Sequence, residues 1–183
     1  KTEADSRRLA ESLVAIGTAS GVRTEAIITA MDAPLGRAIG NSLEVIEGLD
    51  ALKGRGSPGL VEVSVELTVR MLLIGAVAST EDDARRRVRD AIASGAGLER
   101  FQRVIEQQGG DPRVVDDYTR LPTVSARHLI TAPRGGWVTR LDAELVGRAS
   151  VALGAGRDRA DDSIDPAVGI VVRAAVGDEV RVG

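Results

Sequence analysis

Glycine and proline cut this chain into short pieces, and that punctuation constrains its fold more than any other feature. Breaks fall at Gly21, at Lys53-Gly54-Arg55-Gly56-Ser57-Pro58-Gly59, at Gly95, at Gly109-Gly110, at Ala132-Pro133-Arg134-Gly135, at Gly154-Ala155-Gly156 and at Gly177-Asp178. Glycine tolerates the positive φ that ends helices and closes turns, and proline lacks the donor that either ladder needs. Before the first break, residues 2–20 read as an amphipathic helix with Leu9, Leu13 and Ile16 on one face, Thr2 as N-cap and Gly21 as stop. After it, Ala26-Ile27-Ile28-Thr29-Ala30, within the stretch 22–31, reads as a short buried strand. A helix followed by a buried strand predicts α/β architecture.

The string Met31 to Ser42 carries one proline and two glycines and reads as a loop. Asn41 is the expected N-cap of the next helix, with Glu44 three residues on as in a capping box, and that helix runs to about Leu52. Residues 60–78 are the most apolar helix candidate, although Val63, Val65, Val69 and Ile74 are β-branched and pull its first part toward strand. Thr80 caps a helix over 81–94, another spans 97–108, and 111–118 reads as a short helix with Pro112 in its first turn. Beyond Pro122 the pattern changes. Residues 124–131 and 136–141 read as strands, Asp142 caps a helix to about Leu153, and 168–182 is β-like with a turn at Gly177-Asp178. The pattern therefore predicts α/β architecture with a domain boundary near 120–125, and no internal repeat is visible.

Composition excludes several functions. The chain has 183 residues, is 43% hydrophobic, and holds one Trp, one Tyr and one Phe, so its core is aliphatic and offers no aromatic platform for stacking bases. A net charge of −3 with basic and acidic side chains intermixed gives no electrostatic case for nucleic acid. The absence of cysteine excludes disulfides, thiolate metal sites and a Cys nucleophile, and fits a reducing compartment. The longest apolar run, Met71 to Ala78, is far too short for a membrane span. The first residues read neither as a signal peptide nor as a natural start, since they lack Met.

Four strings occur in order: Asp32-Ala33-Pro34-Leu35-Gly36-Arg37-Ala38-Ile39-Gly40-Asn41-Ser42-Leu43-Glu44-Val45, Leu153-Gly154-Ala155-Gly156-Arg157, Ile164-Asp165-Pro166-Ala167-Val168-Gly169-Ile170 and Gly177-Asp178-Glu179-Val180. Together they resemble the thymidine and pyrimidine-nucleoside phosphorylase family, over the whole chain but only over the later part of the family sequence. The resemblance implies that residues 1–122 end a large α/β domain and that 123–183 form most of a small α+β C-terminal domain, truncated at both ends of the chain. It implies reversible phosphorolysis, with phosphate as co-substrate attacking the anomeric carbon of a pyrimidine nucleoside. It further implies a cytoplasmic enzyme that is a homodimer when complete.

That reaction needs an anion cradle for phosphate and donors for the departing base. The family supplies both from Lys-, Ser-, Gly- and Arg-bearing segments that match no string here. The chain holds only two lysines, Lys1 and Lys53, neither in such a context. No catalytic and no substrate-binding residue is therefore carried over, and these residues alone are expected to be inactive. One partial site is implied, for a monovalent cation: the carbonyls of Leu35 and Ala38 and the carboxylate of Glu47. Hard cations prefer oxygen, and a non-helical loop leaves carbonyls free.

Bland readings stand beside these. By helical pattern alone Glu47, among Val45, Ile46 and Leu49, is a solvated surface residue; its motif position makes it a ligand. His128, the only histidine, lies in a strand-like run with no nucleophile motif and reads as a structural or surface residue. Gly36-x-x-x-Gly40 lacks the Lys-Ser/Thr ending of a phosphate loop and reads as close packing. Gly154-Ala155-Gly156 reads as a helix stop, and Asp161, Asp162 and Asp165 as an acidic turn without calcium-loop spacing. A biotinyl- or lipoyl-like carrier over 123–183 is opposed by the absence of any Lys after Lys53. Phosphoribosyltransferases share the first architecture but not the small C-terminal domain. A non-catalytic scaffold or subunit derived from the same fold is the remaining alternative.

Overall fold

The computed structural model describes residues 2–183; Lys1 lies outside the described residues. In chain order the elements begin with α1 (Glu3–Ala19), β1 (Ala38–Ile39), α2 (Asn41–Leu52), α3 (Pro58–Ile74), α4 (Glu81–Ala93) and α5 (Ala96–Gln107). Two single-turn 3-10 helices, Pro112–Val115 and Tyr118–Arg120, follow, then β2 (Gly136–Trp137), α6 (Ala143–Ala152), β3 (Ile170–Val171) and β4 (Glu179–Val180). The chain is thus mixed α and β. It divides into two compact units, Lys1–Ala30 with Val61–Ala91 and Met31–Leu60 with Ile92–Gly183.

The first unit is helical. Thr2 and Asp5 close a reciprocal capping box at the start of α1, and Gly21 at φ 74° ends it. Thr80 Oγ1 accepts the Asp83 amide at 3.2 Å and starts α4. The buried side chains of this unit are Val69 on α3, Ala78, and Ala84 and Val88 on α4. Glu66 receives Arg70 at 3.1 Å and also Arg85, while Arg70 pairs with Glu81 at 2.9 Å, which ties α3 to α4 at their partly exposed rim.

The second unit gathers its core around Leu49 of α2, which is fully buried. Val114 and Val115 lie against it, with Leu98, Phe101, Ile105, Tyr118 and Leu121 packed around them. Lys53 sits 4.7 Å above the Tyr118 ring. Its ammonium donates to the Val115 carbonyl and, at 3.2 Å, to Tyr118 Oη, and that hydroxyl donates to Asp50 at 2.7 Å. The helix end is thereby fastened to the 3-10 turns. Two antiparallel ladders complete the unit: β1 with β3 (Ala38 opposite Val171, Ile39 opposite Ile170) and β2 with β4 (Gly136 opposite Val180, Trp137 opposite Glu179).

The helices stand within two residues of the expected ends, except that 60–78 becomes Pro58–Ile74 and 111–118 becomes the two 3-10 turns. The strands differ more. Residues 26–30 form no ladder, and Ile27 and Ile28 are exposed rather than buried, so this apolar run is not laddered as a strand must be. Residues 124–131 likewise form no strand, and of 136–141 only the first two residues are laddered. Gly40, not Asn41, occupies the N-cap of α2. Its φ of 128° and its amide, which donates to Glu44 Oε1 at 3.0 Å, keep half of a capping box without a side-chain cap. Among the described residues, no helix is long and apolar enough to cross a bilayer.

Candidate functional site

The segment Asp32–Asn41 folds back on α2, and Glu47 is the residue that holds it there. Glu47 lies two turns into the helix, on the side that faces the turn at Gly36. Its Oε1 accepts the Arg37 amide at 2.7 Å and its Oε2 accepts the Ala38 amide at 3.1 Å. A carboxylate bonded to backbone amides is a strong acceptor in a fixed orientation. Gly36 makes the approach possible. It sits at φ 82°, and a Cβ there would lie 2.5 Å from Glu47 Oε2.

The other side of the loop is held by β3. The Val172 amide donates to the Arg37 carbonyl at 2.8 Å, and the β1 ladder continues to Ile39. Ala38 turns its amide toward Glu47, away from β3. A strand residue presents its N–H and C=O on the same edge, so the Ala38 carbonyl faces that edge too. Leu35 is exposed and its carbonyl accepts no backbone hydrogen bond among the described residues. Each Glu47 oxygen accepts one amide and keeps a second lone pair. Leu35 and Ala38 thus lie on the turn that Glu47 braces, and their carbonyls and that carboxylate are oxygen donors of the type a hard cation takes.

Among the described residues, no group of three or more His, Cys, Asp or Glu side chains could hold a metal ion. A cation at this turn would meet carbonyl dipoles and one carboxylate, which suits a single positive charge better than a divalent ion. Beside the turn lies an open cavity of about 440 Å³ whose wall includes Arg37, Ala38, Glu47, Asp50, Arg55 and Ser57. Arg55 pairs with Asp50, which also accepts Tyr118 Oη. Ser57 Oγ, just before α3, is buried without a hydrogen-bond partner. Neither Ser57 nor the Asp50–Tyr118–Lys53 chain was singled out from sequence, because no motif marks Ser57 and Tyr118 lies far along the chain from Asp50 and Lys53.

The remaining sequence candidates resolve into local structure. His128 is exposed in the irregular stretch after Pro122. Gly154 at φ 98° closes α6, with the Ala155 amide donating to the Ser150 carbonyl at 2.9 Å. Asp162 accepts the Arg159 amide at 2.9 Å and Asp165 accepts the Ala167 amide at 2.9 Å, so both acids brace turns. Asp111 caps a 3-10 turn. Hydrogen bonds from the Arg113 side chain and backbone, with Arg120 adding to them, hold its carboxyl well below the usual carboxylate range.

Residues 2–98 match the family described as "Glycosyl transferase family, a/b domain". Residues 137–183 match "Pyrimidine nucleoside phosphorylase C-terminal domain". The chain is 44% identical over 183 residues to proteins named pyrimidine-nucleoside phosphorylase from Staphylococcus aureus strains USA300, NCTC 8325 / PS 47 and COL. The alignment covers all of this chain and 42% of the length of each relative.

Proposed function

Because the chain belongs to the pyrimidine-nucleoside phosphorylase family within the glycosyl transferases, we propose that its 183 residues serve as the later part of such an enzyme. The observation that carries this reading is 44% identity across the entire chain to relatives bearing that name. The reaction is reversible phosphorolysis of thymidine or uridine. A phosphate oxygen bonds to the anomeric carbon while the glycosidic C–N bond breaks. The base departs with the bonding pair and takes up a proton, leaving a pentose 1-phosphate. We place the domain boundary at 122/123, between the two family matches at 2–98 and 137–183. A pyrimidine nucleoside, phosphate, a homodimeric assembly and a cytoplasmic setting belong to the same proposal.

The contribution of these residues is a scaffold behind the reacting groups, and a cation turn made of the Leu35 and Ala38 carbonyls with the Glu47 carboxylate. The braced carboxylate and the shared edge of Ala38 support that turn. A bound monovalent cation would supply fixed positive charge; no residue of this chain touches the reacting atoms.

A chimera tests the proposal. These 183 residues replace the aligned segment of the Staphylococcus aureus enzyme, and thymine release from thymidine is followed with and without phosphate. Phosphate-dependent release is expected. A folded chimera without activity would favour the other reading, a non-catalytic scaffold, which is suggested by the absence of a Lys-, Ser- and Gly-rich phosphate loop in these residues. The 183-residue chain alone is expected to release no thymine, and enzyme-dependent release from it would refute that expectation.

A further inference from the structure

We infer that residues 166–172 form a backbone clamp that sets the shape of the Glu47 turn, with Gly40 and Gly169 as its positioning residues. The string Ile164 to Ile170 has no part in the chemistry described above, yet it lies directly against the turn. A Cβ on Gly169 would stand 2.2 Å from the Ile39 carbonyl oxygen, 2.9 Å from Leu43 Cδ1 and 3.1 Å from Gly40 Cα. A Cβ on Gly40 would stand 2.4 Å from the Val168 carbonyl oxygen and 2.9 Å from Gly169 Cα. Two backbones therefore touch with no side chain between them, and neither can yield without moving the other. Real Cβ contacts this short do not occur, so even alanine would force the strands apart.

Hydrogen bonds fasten this contact at both ends. The Ser42 amide donates to the Pro166 carbonyl at 3.1 Å, and the Val172 amide donates to the Arg37 carbonyl at 2.8 Å. Arg37 is held from both directions: Val172, the residue after β3, grips its carbonyl while Glu47 grips its amide at 2.7 Å. Its two flanking peptide planes are thus fixed from opposite sides, and the next residue, Ala38, inherits its orientation from both. Separating 166–172 from β1 releases the Arg37 carbonyl, and the amides of Arg37 and Ala38 lose their alignment with the carboxylate. The clamp reaches the candidate cation site through the Ala38 carbonyl, and in that respect it rests on the reading of the turn as a cation site.

Amide hydrogen exchange by NMR on the 183-residue chain tests the clamp, with the Leu49 amide as internal reference within α2. In Gly169→Ala the Arg37 and Ala38 amides should exchange about tenfold faster while Leu49 keeps its rate, as loss of a charge-assisted hydrogen bond predicts. A merely structural role for Gly169 would speed all three together. Unchanged ratios of Arg37 and Ala38 to Leu49 in the folded variant overturn the inference. Should Gly169→Ala not fold, Val172→Pro deletes the single donor to Arg37 and is judged by the same ratios. Potassium chloride titrated against choline chloride on the unsubstituted chain is read at the same amides. A potassium-specific shift supports the cation reading. Its absence counts against that reading, and the exchange ratios still decide the clamp.

Discussion

Glu47 carries two tasks at one position. As a brace it neutralises two backbone donors of the turn; as a candidate ligand it offers the remaining lone pairs. Glu47→Gln keeps the shape and removes the charge, so one amide of Arg37 or Ala38 loses its acceptor to the new NH2 group. Upfield movement of that amide proton, with helical content unchanged by circular dichroism, is expected. Two unmoved amide resonances would show that the brace is not used in solution. Asp111 makes a different residue-scale case. Its carboxyl is held below the usual carboxylate range chiefly by the Arg113 side chain. A group depressed in the folded state adds stability that is present above its unfolded pKa, about 3.9, and is lost as pH falls through the folded value. The urea midpoint of the chain should therefore exceed that of Asp111→Asn at pH 7, and the gap should narrow as pH drops from about 4. A gap of constant size down to pH 2 would contradict the assignment.

Elements differ in how far residues near in sequence decide them. The caps at Thr2, Thr80 and Asp142, the stops at Gly21 and Gly109 and the helical periodicity between them are local signals, and the helices follow them closely. The cap of α2 passed to Gly40 because that glycine must also make the close approach to Val168, which Asn41 gives no hint of. The strand expectations at 26–30 and 124–131 rested on apolar runs alone. A strand exists only with a partner, and a run of isoleucines says nothing of where the partner lies. The ladder that does form beside the candidate site joins β1 to β3 across most of the second unit, and its two-residue length leaves no periodicity to read. The resemblance marked Leu35, Ala38 and Glu47, whereas the bracing geometry depends on the φ of Gly36 and could not be read from residue types. For the core of the second unit, Leu49→Ala removes a fully buried side chain from contact with Val114 and Val115. A loss of about 2–5 kcal/mol in urea unfolding is expected for such a truncation. A loss below about 1 kcal/mol would show that the turns at 112–120 do not pack on α2 as described.

At the scale of the whole molecule, the placement of apolar surface decides which substitutions matter. A helix with a period-3.6 apolar stripe ordinarily buries it, but on α1 Leu9, Leu13 and Ile16 are 56%, 55% and 63% exposed. Met71 of α3, in the same unit, is 70% exposed, and Ile27 and Ile28 add to the apolar surface of that unit. Contiguous apolar exposure is unusual on a soluble chain and attracts hydrophobic dyes and neighbouring molecules. The stripe therefore contributes little to the folding of these residues, in contrast to Val69 and Val88, whose side chains are buried. The double variant Leu13→Gln, Ile16→Gln should lower anilinonaphthalene sulfonate fluorescence and light scattering on concentration. Surface substitutions away from a packed core stay within about 0.5 kcal/mol each, so its thermal midpoint should hold. Val88→Ala, by contrast, should lower that midpoint and leave dye binding by the folded state unchanged. A sharp fall in the midpoint of the Gln variant would mean that Leu13 and Ile16 are buried in solution.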